Sequence, residues 1–381
     1  MAHTRRILTG LTAALGTAAV LLTGCSTSTV APDVPALRTL PAAVTEDVSA
    51  QLAATMKEFD VPGGAVRVCT PGYEDWTTAQ GVADTSTGEP MSTELVWPLR
   101  SVTKSFTTTL LLQLVDEGKV SLDDPVSKYV AGVPNGDSIT LAQLADMTSG
   151  VPEYTTEAWV KDYFADEQRT FTSEELVAYA LAEPAQYKPG ASAVYTNTNT
   201  LLIGAVVAEA TGQPFADVIQ ERILSPLDLT DTTYLTTPDE WSGPHPTGYQ
   251  PNDKGVLEEQ GNNFTVLAEA GAMTSTLADM CAWGTALGSG ELLNDETQAA
   301  RLVGQPLDKG PEYDEYDLGV GELEGWVGHT GEGFGHTVLV MHNEETGMTV
   351  ATGMNIAKAS AHAPTRFFRE IAPVLDTVPV V

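Results

Sequence analysis

Apolar positions divide the chain into blocks of different period. Val48, Leu52 and Met56 recur at fourfold spacing, which predicts an amphipathic helix over Glu46–Phe59. Gly64–Cys69 and Asp75–Val82 then read as strands on either side of a Pro-Gly turn. Phe106, Leu110, Leu111, Leu114 and Val115 form a stripe that predicts a helix over Arg100–Gly118, with the glycine suited to its stop. From about Leu122 to Leu267 the pattern is helical and loop-rich, clearest over Leu176–Leu181 and Leu201–Ala210. Strand signals return at Leu318–Gly321, Trp326–Thr330, Gly335–His342 and Met348–Asn355, and a helix over Pro364–Leu375 closes the pattern. Helix, strands, a helical middle, then strands and a helix imply one α/β (α+β) domain over about 45–375. Its α/β part covers about 45–121 and 268–375, and the all-α insertion about 122–267.

The first residues follow a different logic. Arg5 and Arg6 lead into an apolar run from Ile7 to Leu22, too short for a membrane span. It ends in Leu22-Thr23-Gly24-Cys25, which resembles a bacterial lipobox. That resemblance implies a signal peptide over 1–24, lipidation of Cys25, and export to the outer face of the cell membrane. Residues 25–44, rich in Ser, Thr, Pro and Ala, read as a tether. Once Cys25 is set aside, only Cys69 and Cys281 remain. An oxidising compartment permits their pairing, but spacing does not decide it, and two buried free thiols are the reading at least as well supported.

Charge narrows the partners. With 51 Asp+Glu against 19 Lys+Arg, the net charge is −32, and a nucleic-acid partner is excluded because phosphate binding needs clustered cations. The sequence has no His-Glu-x-x-His or Cys-x-x-Cys signature, so neither a metal nor a cofactor is expected.

Three short motifs carry the chemistry. Of nine lysines, only Lys104 has a serine three residues before it. That spacing puts Ser101 and Lys104 one helical turn apart, at the positive end of a helix dipole. A lysine held beside a hydroxyl and partly desolvated loses its proton more readily and becomes a base. Of eleven tyrosines, only Tyr195 has an asparagine two residues on, Asn197. Phenolate at neutral pH needs nearby positive charge, which Lys104 is placed to supply; Asn197 offers an amide to orient a substrate or the lysine. His329-Thr330-Gly331 ends a predicted strand, its glycine allowing close approach to the strand edge.

Ser-x-x-Lys, Tyr-x-Asn and His-Thr-Gly, in that order, resemble class C β-lactamases, D-alanyl-D-alanine carboxypeptidases and related esterases. The resemblance runs from about residue 46 to 375 and includes Arg100-Ser-Val-Thr-Lys-Ser-Phe106, Leu122-Asp-Asp-Pro-Val126 and Met147-Thr-Ser-Gly150. It implies a β-lactamase/transpeptidase-like fold, an antiparallel sheet flanked by helices with an all-α insertion. It further implies a serine hydrolase acting through an acyl-enzyme, with Ser101 as nucleophile and Lys104 and Tyr195 as proton carriers. Asn197, His329, Thr330, Gly331 and Glu332 would bind substrate, with the N–H groups of Ser101 and Glu332 as oxyanion hole. The implied substrates are small peptides or β-lactams, including peptidoglycan stem peptides. Esterase, D-amino-acid amidase and non-catalytic envelope binding protein are the alternatives. Three positions depart from the family: Arg100 replaces a small residue, Glu332 a neutral one, and Gly321-Glu-Leu-Glu-Gly-Trp326 lacks the arginine with which carboxypeptidases grip a substrate carboxylate.

Overall fold

The computed structural model describes residues 36–238, 240–358 and 362–380. Residues 1–35, with the signal-peptide reading, Cys25 and the start of the tether, lie outside the described residues. From Leu37 to Val381 the chain forms one compact unit. No single helix among the described residues is long and apolar enough to cross a membrane.

An eight-stranded antiparallel sheet is its frame. In chain order the strands are β1 (Gly63–Cys69), β2 (Trp76–Asp84), β3 (Glu89–Pro90), β4 (Glu315–Tyr316), β5 (Gly321–Leu323), β6 (Trp326–Gly333), β7 (His336–His342) and β8 (Thr349–Met354). Their spatial order is β3-β2-β1-β8-β7-β6-β5-β4, so the early strands join the late ones where Gly64 pairs with Met354 and Cys69 with Thr349. The hairpins β5–β6 and β6–β7 turn on Glu324-Gly325 and Phe334-Gly335, pairs in which both residues have positive φ. Two consecutive positive φ values match the right-handed twist of the flanking strands, and glycine adopts them at least cost.

Both faces of the sheet are covered. α1 (Ala42–Phe59) and the last helix, α6 (Ala363–Leu375), lie on one, where Val48, Leu52, Phe367, Phe368 and Ile371 meet Val66, Leu339, Met341 and Val350. Full burial of each phenylalanine there contributes roughly 1.5–3 kcal/mol. On the other face lie α2 (Thr103–Asp116) and α5 (Leu277–Ser289), meeting Val338, Val340 and Ala351. α2 is buried on nearly every side from Thr103 to Leu112 and is not striped. Its hydroxyls answer by bonding carbonyls, Thr109 to Ser105 at 2.7 Å and Thr107 to Glu269 at 2.7 Å. Phe106 stacks on Trp283 of α5 at 3.7 Å. Cys69, at the end of β1, and Cys281, on α5, are joined by a disulfide, which settles the question that spacing left open.

Several boundaries differ from those expected. α2 begins at Thr103, after a 3₁₀ turn over Arg100–Val102 whose first residue has φ 50°. The strand expected at Leu318–Gly321 is displaced into β4 and β5, because Asp317 N–H bonds the Val320 carbonyl and Gly319 takes φ 74°, making a turn of that stretch. The insertion carries α3 (Ser173–Leu181) and α4 (Asn197–Thr211) as foreseen. It also carries short strands: Tyr249–Pro251 pairs with Leu257–Glu259, and Thr233–Tyr234 joins Met273–Ser275 and Trp97–Pro98.

Candidate active site

Three parts of the fold converge on Ser101: the turn before α2, the start of α4, and β6. Ser101 lies on the 3₁₀ turn and is half-buried. Lys104, on the first turn of α2, is fully buried, with Nζ 3.1 Å from Ser101 Oγ. Nζ also donates to Asn197 Oδ1 at 2.7 Å and to the Ala270 carbonyl at 2.9 Å. Burial pushes the Lys104 ammonium down to about 7, with Glu153 pulling it back up. Near pH 7 the amine is therefore neutral in a large fraction of molecules. A neutral amine has two N–H groups and one lone pair. Both carbonyl oxygens can only accept, so they take the N–H groups and leave the lone pair to the Ser101 hydroxyl.

Asn197 is the first residue of α4, where Thr196 caps by accepting from Thr198 N–H. Glu153, which the sequence reading passed over, holds it in place. One Glu153 oxygen accepts from Asn197 N at 2.7 Å, Asn197 Nδ2 at 3.2 Å and Thr196 Oγ1 at 3.1 Å. The amide is thereby oriented with its oxygen towards Lys104. Glu153 sits in a loop without period, and its only sequence signal is its place three residues beyond Met147-Thr-Ser-Gly150.

Tyr195 is close to the pair, its ring centre 5.1 Å from Lys104 Nζ. The expected phenolate is not what its surroundings favour. Burial, followed by the neighbouring Tyr316 and Tyr313, raises its pKa well above the ordinary value, and proximity to Ser101 offsets this only partly. The buried hydroxyl has no hydrogen-bond partner among the described residues, so a proton donor stands uncommitted beside Ser101.

β6 supplies the third wall. A Cβ on Gly331 would fall 2.3 Å from the Leu99 carbonyl, so only glycine lets the strand lie this close to the nucleophile turn. His329 is fully buried, its Nδ1 3.2 Å from Tyr313 Oη and its Nε2 3.2 Å from Tyr316 Oη. Desolvation, then Lys104, lower its pKa to about 3, so the ring is neutral, with both nitrogens engaged by protein. Thr330 Oγ1 lies 2.7 Å from the same Tyr313 hydroxyl. Glu332 reaches solvent at the end of the strand, while the protein around its carboxyl raises its pKa. Glu324 is drawn away by an ion pair to Arg369 at 2.6 Å. Glu322 pairs across the sheet with Glu315, and no arginine stands on β5. Arg100 is buried between the Phe264 and Phe334 rings, its Nε donating to the Gly333 carbonyl at 3.1 Å.

An antiparallel sheet interrupted by a mainly helical insertion, with a serine–lysine pair at their junction, defines a β-lactamase/transpeptidase-like fold. The Beta-lactamase family profile matches residues 48–369, and the chain belongs to that family. It is 32% identical over 214 residues to the D-alanyl-D-alanine-carboxypeptidase/endopeptidase AmpH of Escherichia coli (strain K12), covering 54% of this chain and 52% of that protein. A Beta-lactamase of the same strain is 29% identical over 250 residues, covering 64% of this chain and 61% of the relative. The chain thus spans about half to three-fifths of the length of these relatives. Among solved structures, a D-stereospecific amidohydrolase from Streptomyces sp. superposes with TM-score 0.74 at 28% identity, over 86% of this chain and 98% of the other. The D-amino acid amidase of Ochrobactrum anthropi SV3 superposes with TM-score 0.77 at 23% identity, over 88% and 99%, a likeness of fold.

Proposed function

We propose that the chain is a serine hydrolase that acylates Ser101 with D-alanyl peptides, β-lactams or related amides and esters, as a D-alanyl-D-alanine carboxypeptidase-like enzyme of the envelope. The observation that carries this reading is the Lys104 geometry, in which two fixed carbonyls leave the amine's lone pair on the Ser101 hydroxyl. Ser101 Oγ attacks the scissile carbonyl and its proton passes to Lys104 Nζ. The oxyanion is met by the Ser101 and Glu332 N–H groups. Electrostatic stabilisation of this kind is usually the largest single contribution to acyl transfer. The C–N or C–O bond breaks as the Tyr195 hydroxyl gives its proton to the leaving group, and Lys104 restores it. Water then releases the acyl group by the same path in reverse. Asn197 orients the substrate amide, and the His329–Gly331 stretch forms the pocket wall, with His329 acting through its shape and not its charge.

The lipobox-like run supports an address outside the cytoplasm, with Cys25 anchoring the protein to the membrane near peptidoglycan stem peptides. A fluorescent penicillin or a fluorophosphonate tests the catalytic reading. One adduct at Ser101, lost in Ser101→Ala, is expected; an adduct on another serine overturns it.

A second reading, amidase or esterase, is favoured by the missing arginine on β5 and by the Glu322–Glu315 pair beside it. The likeness to a D-stereospecific amidohydrolase supports it as well. A carboxylate on the leaving side meets like charge there, so kcat/KM for a D-alanyl-D-alanine peptide should fall several-fold below that of its C-terminal amide or ester. A preference for the free acid would restore the carboxypeptidase reading in full.

A further inference from the structure

Further along α4 from Asn197, where Leu201, Gly204, Ala205 and Ala208 follow at helical spacing, α3 and α4 flank a cavity of about 410 Å³. Its walls are mostly apolar, with Val177, Leu181, Leu201, Ala208 and Phe215 among the residues that line them. Small-molecule sites are commonly apolar hollows of roughly 300–1,000 Å³ with a few placed polar groups. Here the polar group is Glu269, which is only 5% exposed. Its carboxyl oxygens receive one hydroxyl, Ser173 Oγ, at 2.7 and 2.8 Å. Among the described residues no lysine, arginine or histidine lines the cavity, and the other charged residue in its wall is the exposed Glu174. A Cβ on residue 204 would fall 2.3 Å from Glu269 Cγ, so Gly204 makes the room in α4 that admits this carboxyl.

A carboxylate removed from water without a cation is costly, and the group either takes up a proton or acquires a positive partner. Burial pushes Glu269 up to about 7, which leaves both options open near neutral pH. The apolar walls accept hydrocarbon, and the two carboxyls repel anions.

We propose that this cavity is a binding site for a small hydrophobic amine, with its ammonium on Glu269 and its apolar body between α3 and α4. The site is separate from the acylation site. The Glu269 side chain turns to Ser173 and Gly204, while the neighbouring Ala270 carbonyl turns to Lys104.

Calorimetric titration of the full chain with phenethylamine and with phenethyl alcohol, at pH 8, tests the proposal. The amine should bind at least tenfold more tightly than the alcohol of the same shape. Glu269→Gln keeps the volume and removes the charge, and should bring the amine to the level of the alcohol. Ala178→Trp, at an exposed position in the cavity wall on α3, should weaken both ligands tenfold or more while Ser101 is still labelled. Equal affinity for the two ligands, no binding of either, or an amine affinity unmoved by Glu269→Gln would each overturn it. Should Glu269→Gln fail to fold, undiminished amine binding to Ala178→Trp would do so alone.

Discussion

At the scale of single residues, the proposed chemistry turns on one proton. Lys104 acts as a base only when neutral, and burial places its pKa at about 7. Acylation should therefore rise with pH through about 7 and level off above it, as a plot of kcat/KM against pH would show. Glu153 raises that pKa, so Glu153→Gln should move the rising limb to lower pH. Glutamine keeps one acceptor oxygen to receive the Asn197 amide, so kcat on the plateau should change little. A limb that stays in place would mean that Lys104 is not the group titrating. Ser101, Lys104, Tyr195 and Asn197 were legible as positions because each motif fixes its own spacing within one turn of chain. Glu153 was not, because its role comes from a contact across 44 residues of chain, which no local pattern reports. Tyr195 was legible as a position but not as a protonation state. Motif order says nothing of the depth at which a phenol is buried.

At the scale of elements, the disulfide ties β1 to α5, a helix on the opposite side of the insertion in sequence. It closes a loop of 212 residues, and on the chain-entropy account a loop of that size destabilises the unfolded state by about 5 kcal/mol. Replacing Cys69 and Cys281 together by serine should lower the thermal midpoint clearly, with a loss of about 2–5 kcal/mol in denaturant titrations. Labelling of Ser101 at low temperature should persist, since neither cysteine touches the site. Element types were largely readable from period, including α1, β1, β7, β8 and α6. The failures share a cause. The strand expected at Leu318–Gly321 became a turn because Gly319 N–H docks on the Ala145 carbonyl, a tertiary bond that overrides local propensity. α2 starts late because Arg100 is held at positive φ by its place between β6 and two phenylalanine rings.

At the scale of the whole molecule, β8 lies in the middle of the sheet, although it is among the last elements made. Gly63 N–H, at the start of β1, bonds Asn355 Oδ1, 292 residues further on. Ser101, Lys104, Tyr195, Asn197 and His329 all precede β8. A chain ending at Glu345 nevertheless should not be labelled by penicillin and should lack a cooperative thermal transition. Retained labelling would show that the insertion and β4–β7 suffice. The split domain was readable from the return of strand signals late in the chain. The strand order was not, because alternation identifies strands without naming their neighbours. That order also sets a schedule for synthesis. Closing a loop of that length costs about 5 kcal/mol before any contact rewards it, so β1, paired with β2 on one side, keeps its edge towards β8 open until nearly the whole polypeptide has left the ribosome. A chain exported through a narrow channel must arrive there unfolded. On the proposed address outside the cytoplasm, a central strand supplied this late would keep the chain fit for such a passage.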